Sequence, residues 1–322
     1  MATLLSIRDL SVNFYLRRWL VQAVNRLDLD LDEGEILGVV GETGSGKSVT
    51  ALSVLRLVPL PGKIVSGRII FRGEDLLTKT QEEMKEIRGN LISMIFQDPR
   101  ASLNPVFKVG EQLVTAYRAH ARVSKREAAE SALEMMSAVG MPDPEAQMEA
   151  YPHQLSGGMC QRVMIAVALM CEPKLLIADE ATTALDVTVQ AEVLDLVVQM
   201  VRSKQASCLY ITHDMGVVAQ TCDRVAVLYC GGVVETGTVI EIFDDASHPY
   251  TQGLIASTLR VDRHQRLTVI GGDVPDAARL PPGCSFHPRC QHARQVCQEV
   301  RPKVVKLGPG RTASCHKVTE GW

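Results

Sequence analysis

A glycine-rich turn reads Gly41-Glu42-Thr43-Gly44-Ser45-Gly46-Lys47-Ser48, and it lies between the apolar run Ile36 to Val40 and the amphipathic run Val49 to Val58. It matches the pattern G-x-x-x-x-G-K-[ST] in the strand-turn-helix setting that this pattern requires. Its glycines allow backbone geometries that turn several N–H groups toward one point. The helix N-terminus near Ser48 and the Lys47 ammonium add positive charge there. We therefore predict that Gly41 to Val49 bind a phosphate chain and that the Ser48 hydroxyl binds Mg²⁺; the alternative is a glycine-rich loop without a ligand.

The composition is that of an ordinary globular protein. The chain has 322 residues, of which 46% are hydrophobic and 22% charged, and its formal net charge is -3. This length predicts about two domains, and the charge gives no support to a nucleic-acid partner. No apolar run approaches the ~18 residues of a membrane span, and the first residues lack the layout of a signal peptide. We expect a cytosolic chain unless another protein holds it at a membrane.

Polar side chains stand where three apolar strands end, namely Gln97, Asp179, Glu180 and His213. Open α/β sheets bind ligands at the carboxyl ends of their strands. Asp179 is predicted to help hold Mg²⁺ alongside Ser48, and Glu180 to polarise the attacking water. Gln97 would reach the metal or a water, and His213 would contact the γ-phosphate. The alternatives are a glutamine that only begins a turn, acids that emerge into solvent and a structural histidine.

A second glycine-containing turn, Leu155-Ser156-Gly157-Gly158-Met159, precedes the apolar run Gln161 to Met170. Ser156 is a suitable N-cap for a helix, and the glycines expose backbone N–H groups at its start. This predicts a second anion site, which one chain needs only if the site serves a nucleotide held by another subunit. A capped helix with no ligand is the alternative.

Two alternating segments, Leu4 to Phe14 and Leu27 to Leu31, predict half-buried strands of an antiparallel sheet. Three aromatic residues lie in or between them: Phe14, Tyr15 and Trp19. One ring could stack on a nucleotide base, and Phe14 is favoured, although packing at a sheet edge explains these rings almost as well. Helix-forming residues dominate from Val109 to Glu149 and predict a helical insertion.

Taken in order, these segments resemble the ATP-binding cassette (ABC) family. The matching motifs are the P-loop Gly41 to Ser48, the glutamine loop Gln97, the signature Leu155 to Met159, the Walker B strand Leu175 to Glu180, the aspartate loop Ala184 to Asp186 and the switch histidine His213. The resemblance implies an α/β P-loop ATPase in residues 1–260, with an antiparallel β subdomain and a helical subdomain at about 98–155. It also implies a head-to-tail dimer in which ATP lies between one subunit's P-loop and the signature of the other, Ser156, Gly157 and Gly158, with Asp186 near the nucleotide.

A narrower resemblance is to the ATPase subunits of bacterial oligopeptide and dipeptide importers and their relatives for nickel and glutathione. It is carried by Phe96-Gln97-Asp98-Pro99, Gln161 to Ala166 and His248-Pro249-Tyr250-Thr251. It implies ATP hydrolysis coupled to solute uptake, a homologous second ATPase subunit in a heterodimer, two transmembrane permease subunits and, indirectly, an extracytoplasmic solute-binding protein. The chain would lie peripherally on the cytoplasmic face of the inner membrane. Ala181 departs from the usual proline, but no catalytic group is lost.

The predicted extension, residues 261–322, carries four cysteines, Cys284, Cys290, Cys297 and Cys315. Four thiolates can hold a [4Fe–4S] cluster or a tetrahedral Zn²⁺. The spacing C-x5-C-x6-C-x17-C lacks the C-x2-C knuckle usual for zinc, and some subunits of the importer family carry an iron–sulfur cluster in this tail. Both points favour iron–sulfur; zinc and unligated cysteines are the alternatives. A metal there would be structural, since it would supply folding energy to a short tail.

The rival class is a soluble ABC-type ATPase that acts on nucleic acid or on the ribosome. It predicts two cassettes in one chain, a long coiled-coil insertion or a basic face. The first two are absent from this sequence, and the net charge does not support the third. A regulatory cassette that binds ATP without cleaving it is disfavoured because Glu180 and His213 are present.

Overall fold

The computed structural model of the chain describes residues 2–180, 187–257 and 270–322, and the side chains of residues 187–189 lie outside this description. The strands of this part of the chain are β1 (Thr3–Tyr15), β2 (Leu20–Asp32), β3 (Ile36–Val40), β4 (Gly62–Phe71), β5 (Glu74–Asp75), β6 (Ile92–Ile95), β7 (Leu175–Asp179), β8 (Ser207–Thr212), β9 (Arg224–Tyr229), β10 (Gly232–Thr238), β11 (Val305–Gly308) and β12 (Arg311–Ala313).

The α-helices are α1 (Lys47–Val54), α2 (Gln81–Ile87), α3 (Pro99–Ser102), α4 (Val109–Arg118), α5 (Lys125–Ala138), α6 (Pro144–Glu149), α7 (Gly157–Leu169), α8 (Val187–Ser203), α9 (Met215–Thr221), α10 (Val239–Asp245), α11 (Pro249–Ser257), α12 (Gln295–Glu299) and α13 (His316–Glu320). The chain divides into two compact units. The first unit comprises Met1–Thr78 and Tyr210–Trp322, and the second comprises Lys79–Leu209. The last described residues, 270–322, therefore belong to the same unit as the N-terminal strands.

An antiparallel sheet in the order β2-β1-β4-β5 forms one layer of the first unit. Alternate residues of β1 and β2 are buried, and the register pairs Leu5 with Leu31 and Leu10 with Leu27. The predicted antiparallel sheet before the P-loop strand is thus confirmed. Both strands are longer than their alternating segments, because pairing continues along the hairpin to Tyr15 and Leu20.

A second sheet of the first unit has the strand order β11-β12-β10-β9-β3-β8. Strand β3 is buried along its whole length and pairs in parallel with β9. Strands β9 and β10 pair antiparallel and form a hairpin around Tyr229-Cys230-Gly231. Strand β12 pairs antiparallel with β10, so the C-terminal residues extend the sheet that contains the P-loop strand. The sequence analysis did not predict this pairing.

An aromatic cluster packs beside β9 in the first unit. The ring centroids of Tyr229 and Tyr250 lie 4.5 Å apart, and Phe286 lies 5.3 Å from Tyr229 and 5.4 Å from Tyr250. All three residues are at least 96% buried. In the same unit, the buried Glu235 carboxylate accepts the backbone N–H groups of Ser247 and His248, which fixes the start of α11.

The second unit combines a parallel strand pair with a set of helices. Strands β6 and β7 are buried and parallel, with Met94 opposite Ile177. Helices α4, α5 and α6 contact one another, and α4 and α5 also contact α7. Ser124 begins α5 as its N-cap, since its hydroxyl accepts the Glu127 N–H. The predicted helices between Val109 and Glu149 are confirmed.

Candidate nucleotide site

The P-loop of the first unit leads from the buried strand β3 into α1. Gly46 has φ 99°, and a Cβ at this position would lie 2.5 Å from the Ala23 carbonyl oxygen, so only glycine fits without a shift. The loop is closed by two backbone hydrogen bonds, from the Ser45 N–H to the Glu42 carbonyl (3.1 Å) and from the Gly231 N–H to the Ser45 carbonyl (2.9 Å). No acidic residue stands in the first turn of α1. The loop therefore has the shape and the positive helix end that suit a phosphate chain.

The Lys47 side chain lies across this loop. Its ammonium donates to the carbonyl oxygens of Gly41 (2.7 Å) and Glu42 (3.1 Å), and the residue is 6% exposed. The ammonium is thus held inside the loop, where a phosphate chain would meet it.

Glu42 is held by residues far away in the sequence. Its backbone N–H donates to the Tyr250 hydroxyl at 2.9 Å. Its carboxylate accepts two hydrogen bonds from the Arg289 guanidinium, at 2.6 and 3.0 Å. The hydrogen bond to Glu42 raises the pKa of Arg289 further above its usual range. No local pattern in the sequence marks Arg289 as part of this site, and Tyr250 is marked only by the His-Pro-Tyr-Thr motif.

The three candidate aromatic residues occupy different surroundings in the first unit. Phe14 is half-buried and packs closely on Gly62, whose added Cβ would meet the ring at 2.7 Å. Tyr15 and Trp19 are about half exposed, and each lies near a cation, Lys63 and Arg279 respectively. The base-stacking role of Phe14 stays a prediction.

The second unit brings two of the predicted catalytic side chains together. The Gln97 amide donates to a Glu180 carboxylate oxygen at 2.7 Å. Both residues follow the carboxyl ends of the paired strands β6 and β7, and the buried Asp179 is the last residue of β7. Glu180 has φ 47°, a left-handed conformation that is uncommon for a residue with a side chain and is often found at functional sites. The structure thus brings the side chains of Gln97 and Glu180 together at this strand edge, and their catalytic roles stay predictions.

The signature turn begins α7 in the second unit. Ser156 is exposed, and its hydroxyl accepts the Met159 N–H at 3.2 Å as a helix N-cap. Gly157 and Gly158 are the first two residues of this helix and are only partly buried. The capping role of Ser156 is confirmed, and the anion site at this helix end stays a prediction.

Two predicted nucleotide-site residues remain, His213 and Asp186. His213 is exposed and directly follows β8, which lies next to β3 in the sheet order. It precedes Asp214, the N-cap of α9. Asp186 and the rest of the predicted aspartate loop, together with Ala181, lie outside the described residues.

The sequence matches two family models. Residues 24–183 match the ABC transporter model, and residues 234–297 match the model for the oligopeptide/dipeptide transporter C-terminal region. The chain is 48% identical over 320 residues to the probable peptide ABC transporter ATP-binding protein y4tR of Sinorhizobium fredii, covering 98% of this chain and 96% of that protein. The chain belongs to the ATP-binding subunits of the oligopeptide and dipeptide ABC transporters.

Other members of this family are similarly close. The chain is 47% identical to the oligopeptide transport ATP-binding protein AppD of Bacillus subtilis, over 99% of this chain and 98% of that protein. It is 46% identical to the oligopeptide transport ATP-binding protein OppD of Escherichia coli, over 98% and 94% respectively. As a member of this family, the chain is an ABC ATPase that hydrolyses ATP and an ATP-binding subunit of a bacterial peptide importer. The rival reading as a soluble ATPase acting on nucleic acid or the ribosome is not favoured.

Solved structures of ABC cassettes share the fold. The bacterial ABC transporter cassette MJ0796, described as dimeric, is 25% identical and superposes with a TM-score of 0.66 over 73% of this chain and 98% of that chain. CbiO1 of Clostridium perfringens, part of the transporter complex cbiONQ, is 26% identical with a TM-score of 0.64 over 76% and 92%. The predicted ABC cassette fold is therefore confirmed. In the three described ranges of the chain, no helix is both long and apolar enough to cross a bilayer.

The four tail cysteines of this family member line one small cavity, together with His287, His292 and His316. None of the four forms a disulfide, and the Cys284 N–H donates to the Cys297 carbonyl at 2.8 Å. Burial raises the pKa of Cys284 to about 11, and it also raises the pKa values of Cys290 and Cys315. Among the described residues, no group of three or more His, Cys, Asp or Glu side chains is arranged to hold a metal ion. The predicted metal site is thus not confirmed.

Proposed function

We propose that this ABC ATPase binds MgATP on its P-loop, Gly41 to Val49, and uses hydrolysis to drive the uptake of peptides or a related small solute. The observation that carries the proposal is the closed loop around the Lys47 ammonium, which is built from glycines in conformations that other residues rarely adopt. The backbone N–H groups and Lys47 would neutralise the phosphates, and Phe14 would stack on the base.

The candidate ligands for the cation that accompanies ATP are side chains that carry oxygen atoms. We propose Ser48, Gln97 and Asp179 as its ligands, because hydroxyl, amide and carboxylate oxygens are the donors that Mg²⁺ prefers. When bound, Mg²⁺ would offset charge on the β- and γ-phosphates. The amide nitrogen of Gln97 donates to Glu180, so the cation would bind the amide oxygen of the same side chain.

Glu180 is the proposed general base. Its carboxylate is partly exposed and is oriented by the hydrogen bond from Gln97, so it can accept a proton from a water that attacks the γ-phosphate. His213 would contact the γ-phosphate and stabilise the charge that develops on it.

A second ATPase subunit is proposed to complete the site. Ser156, Gly157 and Gly158 lie at the N-terminal end of the 13-residue helix α7, and Ser156 is open to solvent. This end could meet a phosphate chain held by the partner, with Asp186 near the same nucleotide. We propose a heterodimer with a homologous subunit, and an extracytoplasmic solute-binding protein as an indirect partner.

The second unit carries an exposed apolar surface that suits a contact with two permease subunits. Val106 and Phe107, between α3 and α4, are 70% and 51% exposed. We propose that they dock on the permeases and hold the chain at the cytoplasmic face of the inner membrane. Phe107→Asp should then reduce recovery of the chain with permease-containing membranes. Leu60→Asp, at an 87% exposed position of the first unit, is the matched control; equal losses would count against docking at Phe107.

We propose that the chain has a nucleotide-binding domain at residues 1–260, which includes a helical subdomain at about 98–155. The tail at residues 261–322 is then a separate extension. The convergence of Cys284, Cys290, Cys297 and Cys315 on one cavity supports a [4Fe–4S] cluster, with Zn²⁺ as the alternative. The raised thiol pKa values mean that binding would have to displace protons. Anaerobic purification with metal analysis and a visible spectrum would distinguish coloured iron–sulfur from colourless zinc, and a metal-free, colourless protein would reject both.

Single-turnover cleavage of MgATP by Glu180→Gln tests the catalytic assignment. We expect this variant to bind and retain ATP but to cleave it at least 100-fold more slowly than the parent protein, as for the loss of a general base. Glu172→Gln is the matched control, because Glu172 is an exposed acid of the same unit that pairs with Lys204. Cleavage by Glu180→Gln at the parent rate would refute the proposed role.

A further inference from the structure

A single arginine from the C-terminal residues reaches the phosphate-binding loop. Arg289 lies in the segment between Phe286 and Cys290, and its two terminal nitrogens donate to the two carboxylate oxygens of Glu42, the second residue of the loop. The pair is bidentate, which is the strongest arrangement for an arginine and a carboxylate. The two residues are separated by 247 positions in the sequence.

Arg289 is fixed before any nucleotide arrives. Its Nε donates to the Gly271 carbonyl at 3.0 Å, and its terminal nitrogens also reach the Ile270 carbonyl at 3.4 Å and the Tyr229 hydroxyl at 3.3 Å. The guanidinium lies about 6 Å from the rings of Tyr229 and Phe286, close enough for cation–π attraction. The side chain is only 4% exposed. The arginine is therefore a rigid part of the wall behind the loop.

Every polar group of Glu42 is tied to a partner. The carboxylate binds Arg289 and the backbone N–H donates to the Tyr250 hydroxyl. The carbonyl oxygen accepts from the Ser45 N–H and from the Lys47 ammonium, each at 3.1 Å. A displacement of Glu42 would thus move an acceptor that positions Lys47.

Charge gives Arg289 a second effect on the loop. A carboxylate within an anion-binding loop opposes the approach of a triphosphate, and the opposition is larger where the group is shielded from water. Glu42 is only 28% exposed. The guanidinium cancels this charge at close range.

We propose that Arg289 is a positioning residue for the nucleotide site, which neutralises Glu42 and holds the P-loop in the shape that binds ATP. The residues beyond 270 thereby support the nucleotide site directly, whether or not their cysteines hold a metal. This inference rests on the proposed binding of ATP at the P-loop.

The test measures the Kd of the full-length chain for MgATP. Arg289→Ala should weaken binding at least tenfold, and Arg289→Lys, which keeps the charge but loses the fork, about threefold. Adding Glu42→Ala to Arg289→Ala removes the unpaired carboxylate and should restore the Kd to within about threefold of the parent value. Arg311→Ala is the matched control, because Arg311 joins the C-terminal residues to Asp245 and makes no P-loop contact in the described structure; its Kd should match the parent value.

Recovery in the double variant is the readout that a merely structural arginine would not give. An Arg289→Ala protein that binds MgATP within twofold of the parent, or a double variant as weak as Arg289→Ala, would overturn the proposal. If Arg289→Ala does not fold, as judged by circular dichroism, Arg289→Met, which keeps most of the side-chain bulk but removes the charge, with and without Glu42→Ala provides the same comparison. Lys47→Ala tests the proposed ATP site at the P-loop. If this variant binds MgATP as well as the parent protein does, the proposed function fails. If only Arg289→Ala binds normally, the result rejects this inference and leaves the proposed function standing.

Discussion

Replacing Gly46 with alanine should destabilise the first unit, because this position combines backbone strain with crowding. Its φ of 99° is in the left-handed region, where a residue with a Cβ costs about 1–2 kcal/mol. The new Cβ would also lie 2.5 Å from the Ala23 carbonyl oxygen, and relieving such an overlap costs about 1–3 kcal/mol. The expected loss of unfolding free energy is the sum, about 2–5 kcal/mol.

Gly44→Ala is the matched control within the same loop. Its φ is 82°, yet no atom lies within 4 Å of the Cβ that alanine would add. It should therefore lose only the backbone cost of about 1–2 kcal/mol. The difference between the two variants isolates the crowding at Gly46.

Urea unfolding without nucleotide, followed by circular dichroism, measures both losses. We also expect Gly46→Ala to lose MgATP binding, because the loop or β2 has to move to make room for the methyl group. Equal losses of unfolding free energy in the two variants would refute the reasoning, since the Ala23 carbonyl would then place no constraint on the loop.

Three further predictions concern other described contacts. Tyr250→Phe removes the hydroxyl that accepts the Glu42 N–H of the P-loop and should lower the unfolding free energy by about 1–3 kcal/mol. Tyr229→Phe loses a longer hydrogen bond and should lower it by less. A larger loss in Tyr229→Phe than in Tyr250→Phe, measured by urea titration, would contradict this prediction. Burial lowers the pKa of His248 from 6.5 to about 3. As the pH falls, His248 therefore takes up a proton in the unfolded chain before it does so in the folded chain. The unfolding free energy should fall by about 2 kcal/mol between a pH above 6.5 and about pH 5. His248→Asn, which keeps an acceptor for the backbone, should lack that loss, and equal pH slopes of the unfolding free energy would contradict the prediction. Ser124→Ala should cost about 1 kcal/mol through the lost cap of α5; Ser131→Ala within the same helix is the control, and an equal change in its urea midpoint would count against a capping effect.

Local patterns were sufficient to predict the buried strand that leads into the P-loop. The segment Ile36 to Val40 is apolar throughout and becomes a fully buried strand with the predicted bounds, because a continuous apolar run is typical of a strand that is covered on both faces. Gln97 and Glu180 could be placed together because each follows a parallel strand, and such strands end at one edge.

Contacts that depend on distant residues were not predictable in this way. The strand β11 spans only four residues and none of them is buried, so its place in the sheet follows from pairing with β12. The role of Arg289 could not be predicted, because it lies among cysteines and nothing near it in the sequence marks Glu42 as its partner. Only the folded chain shows that the His-Pro-Tyr motif places a hydroxyl beneath the P-loop.

The pairing of β12 with β10 has a consequence for shortening the protein. Ending the chain at residue 260 would remove β12 and leave β10 paired only with β9. The backbone groups of β10 that face β12, including those of Glu235 and Thr236, would then lie unsatisfied along an open edge. Uncovered strand edges recruit other chains. A truncated cassette would therefore tend to self-associate through that edge, and its poor solubility would reflect a missing neighbour rather than a defect in the nucleotide site.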